Sequence, residues 1–233
     1  YEWVVSFDLN SLYPHLIMQY NISPETLLEE RHPTVTVDKI LNKDLTFELY
    51  KDYAVCANGA MYRKDIRGFL PELMEKIYNE RVIFKKKMLA AEQEYEKTKN
   101  KELVKEISRC NNIQMARKIQ LNSAYGAMGN QWFRYYDNRI AESITLSGQL
   151  TIRWAERAVN DFMNKAMGTK EDDYVIAMDT DSLYLNFGPF VKKFLGDNPD
   201  TQKAVRFLDK VCEDKFTAVL NDAYAQLYTK MGG

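Results

Sequence analysis

The chain holds 233 residues, 45% of them hydrophobic, with 32 Lys and Arg against 33 Asp and Glu for a net charge of −1. That length suits one large domain or two small ones, and that apolar content can build a real core. No run of about 18 or more apolar residues and no signal-peptide pattern is present, so neither a membrane helix nor an export signal is expected. In chain order, residues 3–9 read as a strand and residues 10–20 as a loop turning into a short helix, with Pro14 near its first turn. Residues 21–70 are mixed, with short β-like runs at 35–37 and 54–57. Asn58-Gly59 is a hairpin signal, and residues 60–63 fit the return strand. Pro71 opens a helix reaching about residue 97, with Leu73, Ile77, Met88 and Leu89 along one side. After a polar turn at 98–101, a second helix runs over 102–125 and stops at Gly126, in the manner of a C-terminal glycine. A third helix spans 139–167 and is closed by Gly168. Two short buried strands then flank Asp179-Thr180-Asp181-Ser182, and residues 201–230 read as one amphipathic helix. The sum is an α+β fold in which an antiparallel helical hairpin is inserted between sequence-distant acidic strands.

Charge is unevenly spread along these elements. Residues 1–62 carry a net −5, residues 63–118 a net +6 and residues 137–233 a net −3. The basic excess therefore lies on the helical hairpin, and acidic excess surrounds the other segments. That layout suits a triphosphate gripped by one element and cations held by another, although a charge run is also what an ordinary solvated helix face looks like. Cys56, Cys110 and Cys212 lack metal-ligand spacing and read as reduced thiols of a cytosol-like compartment. The chain starts at Tyr1 beside a strand and ends in Met231-Gly232-Gly233 after a helix, which reads as a fragment of a longer protein.

Asp179 and Asp181 stand two residues apart at a hairpin tip. Crowded carboxylates repel, and a divalent cation relieves that repulsion; hard oxygen ligands near phosphate suit Mg²⁺. An acidic tight turn is the ordinary alternative. Two more segments bear on the choice: Asp8-Leu9-Asn10-Ser11-Leu12-Tyr13-Pro14, and Lys118-Ile119-Gln120-Leu121-Asn122-Ser123-Ala124-Tyr125-Gly126. Arg81 and Lys85 share one helix face at i and i+4, and Lys118 and Asn122 repeat that spacing on the partner helix.

These three segments, in this order, resemble the polymerase motifs of family B DNA polymerases. Asn21-Ile22-Ser23-Pro24-Glu25-Thr26 and Gly129-Asn130-Gln131-Trp132-Phe133-Arg134-Tyr135-Tyr136-Asp137 resemble the replicative polymerases of T-even-like bacteriophages in particular. The resemblance covers about residues 3–228. It implies a palm domain over 1–70 and 127–233, a fingers hairpin over 71–126, and no thumb or exonuclease within this chain. It implies two Mg²⁺ ions, with Mn²⁺ able to substitute, held by Asp8, Asp179, Asp181 and the Leu9 carbonyl. Arg81, Lys85, Lys118 and Asn122 would contact an incoming deoxynucleoside triphosphate, with Lys118 also able to protonate departing pyrophosphate. Backbone N–H groups of Ser11 and Leu12 would bind phosphate oxygens. Tyr13 would lie under the sugar and exclude ribonucleotides, and Tyr125-Gly126 would sit beside the nascent base pair.

The implied partners are primer-template DNA, deoxynucleoside triphosphates and a sliding clamp. The implied setting is the cytoplasm of an infected bacterium, without membrane contact. The aromatic run 132–136 can stack on template and primer or pack into a core. Two departures from the family pattern occur: Ala177-Met178 where Tyr-Gly is common, and His15 where Ser is common. A catalytically silent nucleic-acid-binding relative is one alternative, and the intact acidic, Lys and Tyr motifs argue against it; another palm-type nucleotidyl transferase, such as a reverse transcriptase, is a second, and the helix carrying Lys118, Asn122 and Tyr125-Gly126 argues against that.

Overall fold

A computed structural model describes residues 1–231. The elements run β1 (Val4–Asp8), α1 (Leu12–Gln19), β2 (Leu27–Arg31), α2 (Val37–Leu41), β3 (Tyr53–Val55), β4 (Ala60–Arg63), α3 (Phe69–Thr98), α4 (Glu102–Met128) and α5 (Asn138–Met167). They continue as β5 (Val175–Asp179), β6 (Ser182–Asn186), α6 (Gly188–Leu195), α7 (Thr201–Val211) and α8 (Thr217–Lys230), with a π-helical turn at Cys212–Phe216. The fold is α+β, with antiparallel sheets and long helices, as the sequence pattern requires. The chain forms two compact units. One comprises Tyr1–Asn10, Pro33–Lys51 and the residues from Leu146 onward; the other comprises Ser11–His32 and Asp52–Thr145.

The first unit is built on a three-stranded antiparallel sheet in the order β1-β6-β5. One face of it is covered by helices. Ile152, Ala155, Val159 and Met163 recur at helical spacing on α5 and are buried against Leu183, Leu185 and Phe187. Phe216 is the keystone of this core and is fully buried. Its ring stacks on Phe7 at 5.6 Å and meets Phe162 and Phe187 edge-on at 5.0 and 5.1 Å. Truncating so enclosed an aromatic ring costs about 3–5 kcal/mol. Phe216→Ala is therefore expected to lower the urea midpoint by that much stability, and a loss below about 1 kcal/mol would contradict this packing. Cys212 opens the π turn and packs, partly buried, against this core; burial pushes its thiol up to about 11.

The second unit carries the long antiparallel hairpin α3–α4. Lys99 reverses the chain at φ 54°, its N–H donating to Tyr95 O at 2.7 Å. Helix α1 packs on both hairpin helices, and its Leu16 and Ile17 are buried. A second antiparallel sheet, β2-β4-β3, completes the unit. Its tight turn is the expected Asn58-Gly59. Gly59 has φ 81°, and a Cβ there would stand 2.8 Å from the His32 carbonyl oxygen, so glycine is required.

Several expectations need correction. Residues 35–37 form no strand. Thr36 instead caps α2, its Oγ1 accepting from Lys39 N–H at 3.3 Å. Helix α4 does not stop at Gly126 but runs on to Met128, since a glycine inside a packed helix costs only about 1 kcal/mol. The stretch 201–230 is two helices separated by the π turn. β2 and α6 gave no clear periodic signal. Val175–Asp179 is not a uniformly buried strand: only Val175 is buried, and Ala177 and Met178 are exposed. The pairing skips Ile176, a β-bulge that breaks the alternation of faces. Among the described residues all three cysteines are free, and no helix is long and apolar enough to cross a membrane.

Candidate functional site

The acidic group is assembled by sheet register. Asp8, the last residue of β1, pairs with Ser182 on one side of the central strand, and Asp179, the last of β5, pairs with the same Ser182 on the other. Asp181 precedes Ser182 in the two-residue turn, so it sits between the two strand ends rather than within a strand. Its carbonyl accepts from Leu9 N–H at 2.7 Å, which ties the turn to the residue following Asp8. Thr180 Oγ1 donates to Asp179 Oδ1 at 3.2 Å. Asp8, Leu9, Asp179 and Asp181 therefore share one end of one sheet.

The electrostatics are those of a crowded anionic site. Burial lifts the Asp181 carboxyl above its ordinary value, and the negative charges of Asp8 and then Asp179 lift it further, against a backbone hydrogen bond that lowers it. Asp8 and Asp179 themselves face solvent. Among the described residues no three His, Cys, Asp or Glu side chains gather closely enough to enclose a cation unaided. The donor chemistry nonetheless fits Mg²⁺, which is usually held by one or two carboxylates, with water and substrate phosphate completing its shell.

A second group of residues is assembled inside the other unit. Ser11 adopts the left-handed conformation, φ 59° and ψ 45°, directly before the right-handed α1. This left-handed residue is the turn through which the chain enters α1. A non-glycine residue there costs about 1–2 kcal/mol, and it is held from two directions. Arg81 of α3 donates to Ser11 Oγ at 3.1 Å, and the Ser11 carbonyl accepts from His15 N–H and lies 2.8 Å from His15 Nδ1. His15, the departure from the family pattern, also packs edge-on against Tyr78 at 4.7 Å.

Tyr13 stands two residues on and packs against Tyr125 of α4, ring centroids 4.9 Å apart. The two hairpin helices are locked in level by Glu80 and Arg117, paired at 2.7 Å. This places Arg81 on α3 level with Lys118 on α4. Lys85 lies one helical turn from Arg81 toward the hairpin tip, and Asn122 one turn from Lys118 toward Tyr125. Lys85, Lys118 and Asn122 all present their side chains to solvent. Direct contacts thus join Ser11 to Arg81 and Tyr13 to Tyr125, whereas Lys85, Lys118 and Asn122 are neighbours along the helices. Gly126 sits in the last turns of α4 with nothing within 4 Å of a Cβ placed there. Packing within the protein does not demand glycine at that position.

Leu12 begins α1 with its side chain buried, so only its backbone is available to a ligand. The aromatic run resolves into an exposed platform. Trp132 is 87% exposed, and Tyr135 packs on Phe69 at 5.2 Å and on Phe133 at 5.8 Å. Core packing therefore does not account for Trp132.

The model of DNA polymerase family B matches residues 1–198. The DNA-directed DNA polymerase of Escherichia phage RB69 is 34% identical, over 97% of this chain and 30% of its own length. That of Enterobacteria phage T4 is 31% identical over 97% of this chain and 30% of its own length. DNA polymerase 1 of Pyrococcus abyssi is 29% identical over 99% of this chain and 24% of its own length. The chain thus spans under a third of the length of each of these relatives. With residues 1–198 matched and the three motif segments set on β1–α1, α4 and β5–β6, the chain belongs to DNA polymerase family B.

Proposed function

We propose that this chain supplies the palm and fingers of a template-directed DNA polymerase that copies viral DNA in the cytoplasm of an infected bacterium. The reaction is attack by a primer 3′-hydroxyl on the α-phosphate of a deoxynucleoside triphosphate, with release of pyrophosphate. The observation carrying this reading is the convergence of Asp8, Asp179 and Asp181 at one sheet end, in a member of this family. The palm is assigned to residues 1–70 and 127–233 and the fingers to 71–126. A sliding clamp is the further partner of the intact protein.

Asp8, Asp181, Asp179 and the Leu9 carbonyl are the groups that would hold Mg²⁺. Bound there, two such ions would supply activation of the 3′-hydroxyl and charge neutralisation for the leaving pyrophosphate. The remaining work belongs to the chain's own groups. Arg81, Lys85, Lys118 and Asn122 place positive charge and N–H donors along one stretch of the hairpin, where a triphosphate needs them. At the start of α1, the backbone N–H groups of Ser11 and Leu12 would bind phosphate oxygens. Lys118, exposed and cationic, donates a proton to pyrophosphate as it leaves. Asp8 and Ser11 are three residues apart in sequence, so the acidic end of β1 and the start of α1 are covalently linked. Trp132 and its neighbours offer rings on which template bases stack without sequence readout.

Tyr13 is the sugar gate in this reading, and its ring is propped by Tyr125. Tyr13→Ala in the intact polymerase is expected to raise ribonucleotide incorporation relative to deoxynucleotide by about tenfold or more, because a clash rather than a ligand is removed. Competitive incorporation of the two sugars opposite one template base checks this. Unchanged discrimination would remove Tyr13 from the role.

A further inference from the structure

The N-terminus of α3 has no cap of its own. Gly68 stands at the capping position and offers no side chain, yet the donors that a helix start leaves open must be satisfied. The loop that follows α1 meets those of Gly68, Phe69 and Leu70. Phe69 N–H donates to Glu25 Oε1 at 2.6 Å and Leu70 N–H to Ser23 Oγ at 3.4 Å. Pro71 has no N–H, and Glu72 N–H already reaches the Gly68 carbonyl at 3.2 Å. Gly68 N–H itself donates to Asn21 Oδ1 at 2.9 Å.

The loop is braced as firmly as the helix it holds. Asn21, at φ 54°, donates from Nδ2 to the Arg63 and Ile66 carbonyls at 2.7 and 2.8 Å. Ser23 Oγ donates to Glu25 Oε2 at 2.6 Å. Thr26 Oγ1 bonds back to the Asn21 and Ser23 carbonyls at 2.6 and 3.0 Å. The fit is close: a Cβ on Gly68 would come within 2.6 Å of Ser23 Cβ. Burial pushes the Glu25 carboxyl upward, but hydrogen bonds from Ser23 and Phe69 N–H outweigh it and hold the group ionised below its ordinary range. A carboxylate is the favourable charge at this end of a helix.

This clasp fixes the end of α1 to the start of α3. Three turns further along α3, Arg81 returns to Ser11 at the beginning of α1. The two contacts tie both ends of α1 to α3. We propose that Asn21, Ser23 and Glu25 are positioning residues that aim α3, so that Arg81 meets the phosphates of the incoming nucleotide. The proposal rests on the reading of α3 as a phosphate-binding helix.

A double-mutant cycle in the intact polymerase tests it, with the Kd for a deoxynucleoside triphosphate on primer-template as the readout. Glu25→Ala is expected to raise that Kd about fivefold, the equivalent of one lost cap, and to leave primer-template affinity unchanged. Glu25→Gln, which keeps an acceptor for Phe69 N–H and is the gentler change, should fall between wild type and Ala. Amide exchange at Phe69 and Leu70 should quicken in both variants. Because the clasp acts through Arg81, adding Glu25→Ala to Arg81→Ala should raise the Kd no further. Additive effects, or faster exchange at Phe69 with an unchanged Kd, would reduce the clasp to a stabilising cap and overturn the proposal. Arg81→Ala without any effect on Kd would instead overturn the reading of α3 itself.

Discussion

Asp8→Asn and Asp181→Asn should each slow single-nucleotide incorporation by about 10³-fold or more, since the charge stabilisation given by a held cation is worth several kcal/mol. Both substitutions keep the shape of the side chain and remove its charge. The sheet should be undisturbed, because the Leu9-to-Asp181 backbone bond and the Asp8–Ser182 pairing do not involve the carboxylates. Primer-template affinity should therefore hold while the rate falls. Asp179 is the third and looser ligand of this reading, one of its oxygens already accepting from Thr180 Oγ1, so Asp179→Asn should lose less. Rapid-quench measurement of one incorporation at saturating nucleotide separates the three. Equal, mild losses at all of them would remove the carboxylates from the chemistry.

Lys118→Ala should lower the same rate by about 10²–10³-fold, the usual effect of removing one preorganised charge aimed at a developing anion. Its neighbour behaves differently. Arg81 is held by Ser11 within the protein, and on the proposed reading its guanidinium would contribute to binding the nucleotide rather than to the chemical step. Arg81→Ala should mainly raise the nucleotide Kd, with a smaller change in the maximal rate. The split is the informative result. Single-turnover rates against nucleotide concentration give both constants, and wild-type values for both variants would end the assignment of the hairpin to nucleotide binding.

Much of this was legible in residue order. Asn58-Gly59 announced its hairpin, and the long apolar periodicities announced α3, α4 and α5. The three motif segments pointed to the family and to the acidic and basic residues. What could not be read depends on contacts between distant parts of the chain or on backbone shape. The left-handed Ser11 is a residue type with no preference for that conformation, held there by Arg81 70 positions away. The bulge at Ile176 leaves no mark in an apolar run that alternation alone would bury. Val35, Thr36 and Val37 look β-prone, yet Thr36 is a cap. The π turn at Cys212–Phe216 lies inside a continuous helical pattern. Asn21-Ile22-Ser23-Pro24-Glu25-Thr26 carried family likeness, but its bonds to Gly68, Phe69 and Leu70 cross more than 40 residues, as the 47-residue separation of Asn21 and Gly68 shows.

The most direct test of the central claim is primer extension by the intact polymerase, with each deoxynucleoside triphosphate supplied singly, at a range of Mg²⁺ concentrations. Low salt favours the electrostatic grip on DNA and sets the assay conditions. The expected result is addition of the nucleotide complementary to the template base alone, rising with Mg²⁺, stopped by chelation and nearly absent in Asp181→Asn. Extension that ignores the template base, or that persists in Asp181→Asn or under chelation, would contradict the account.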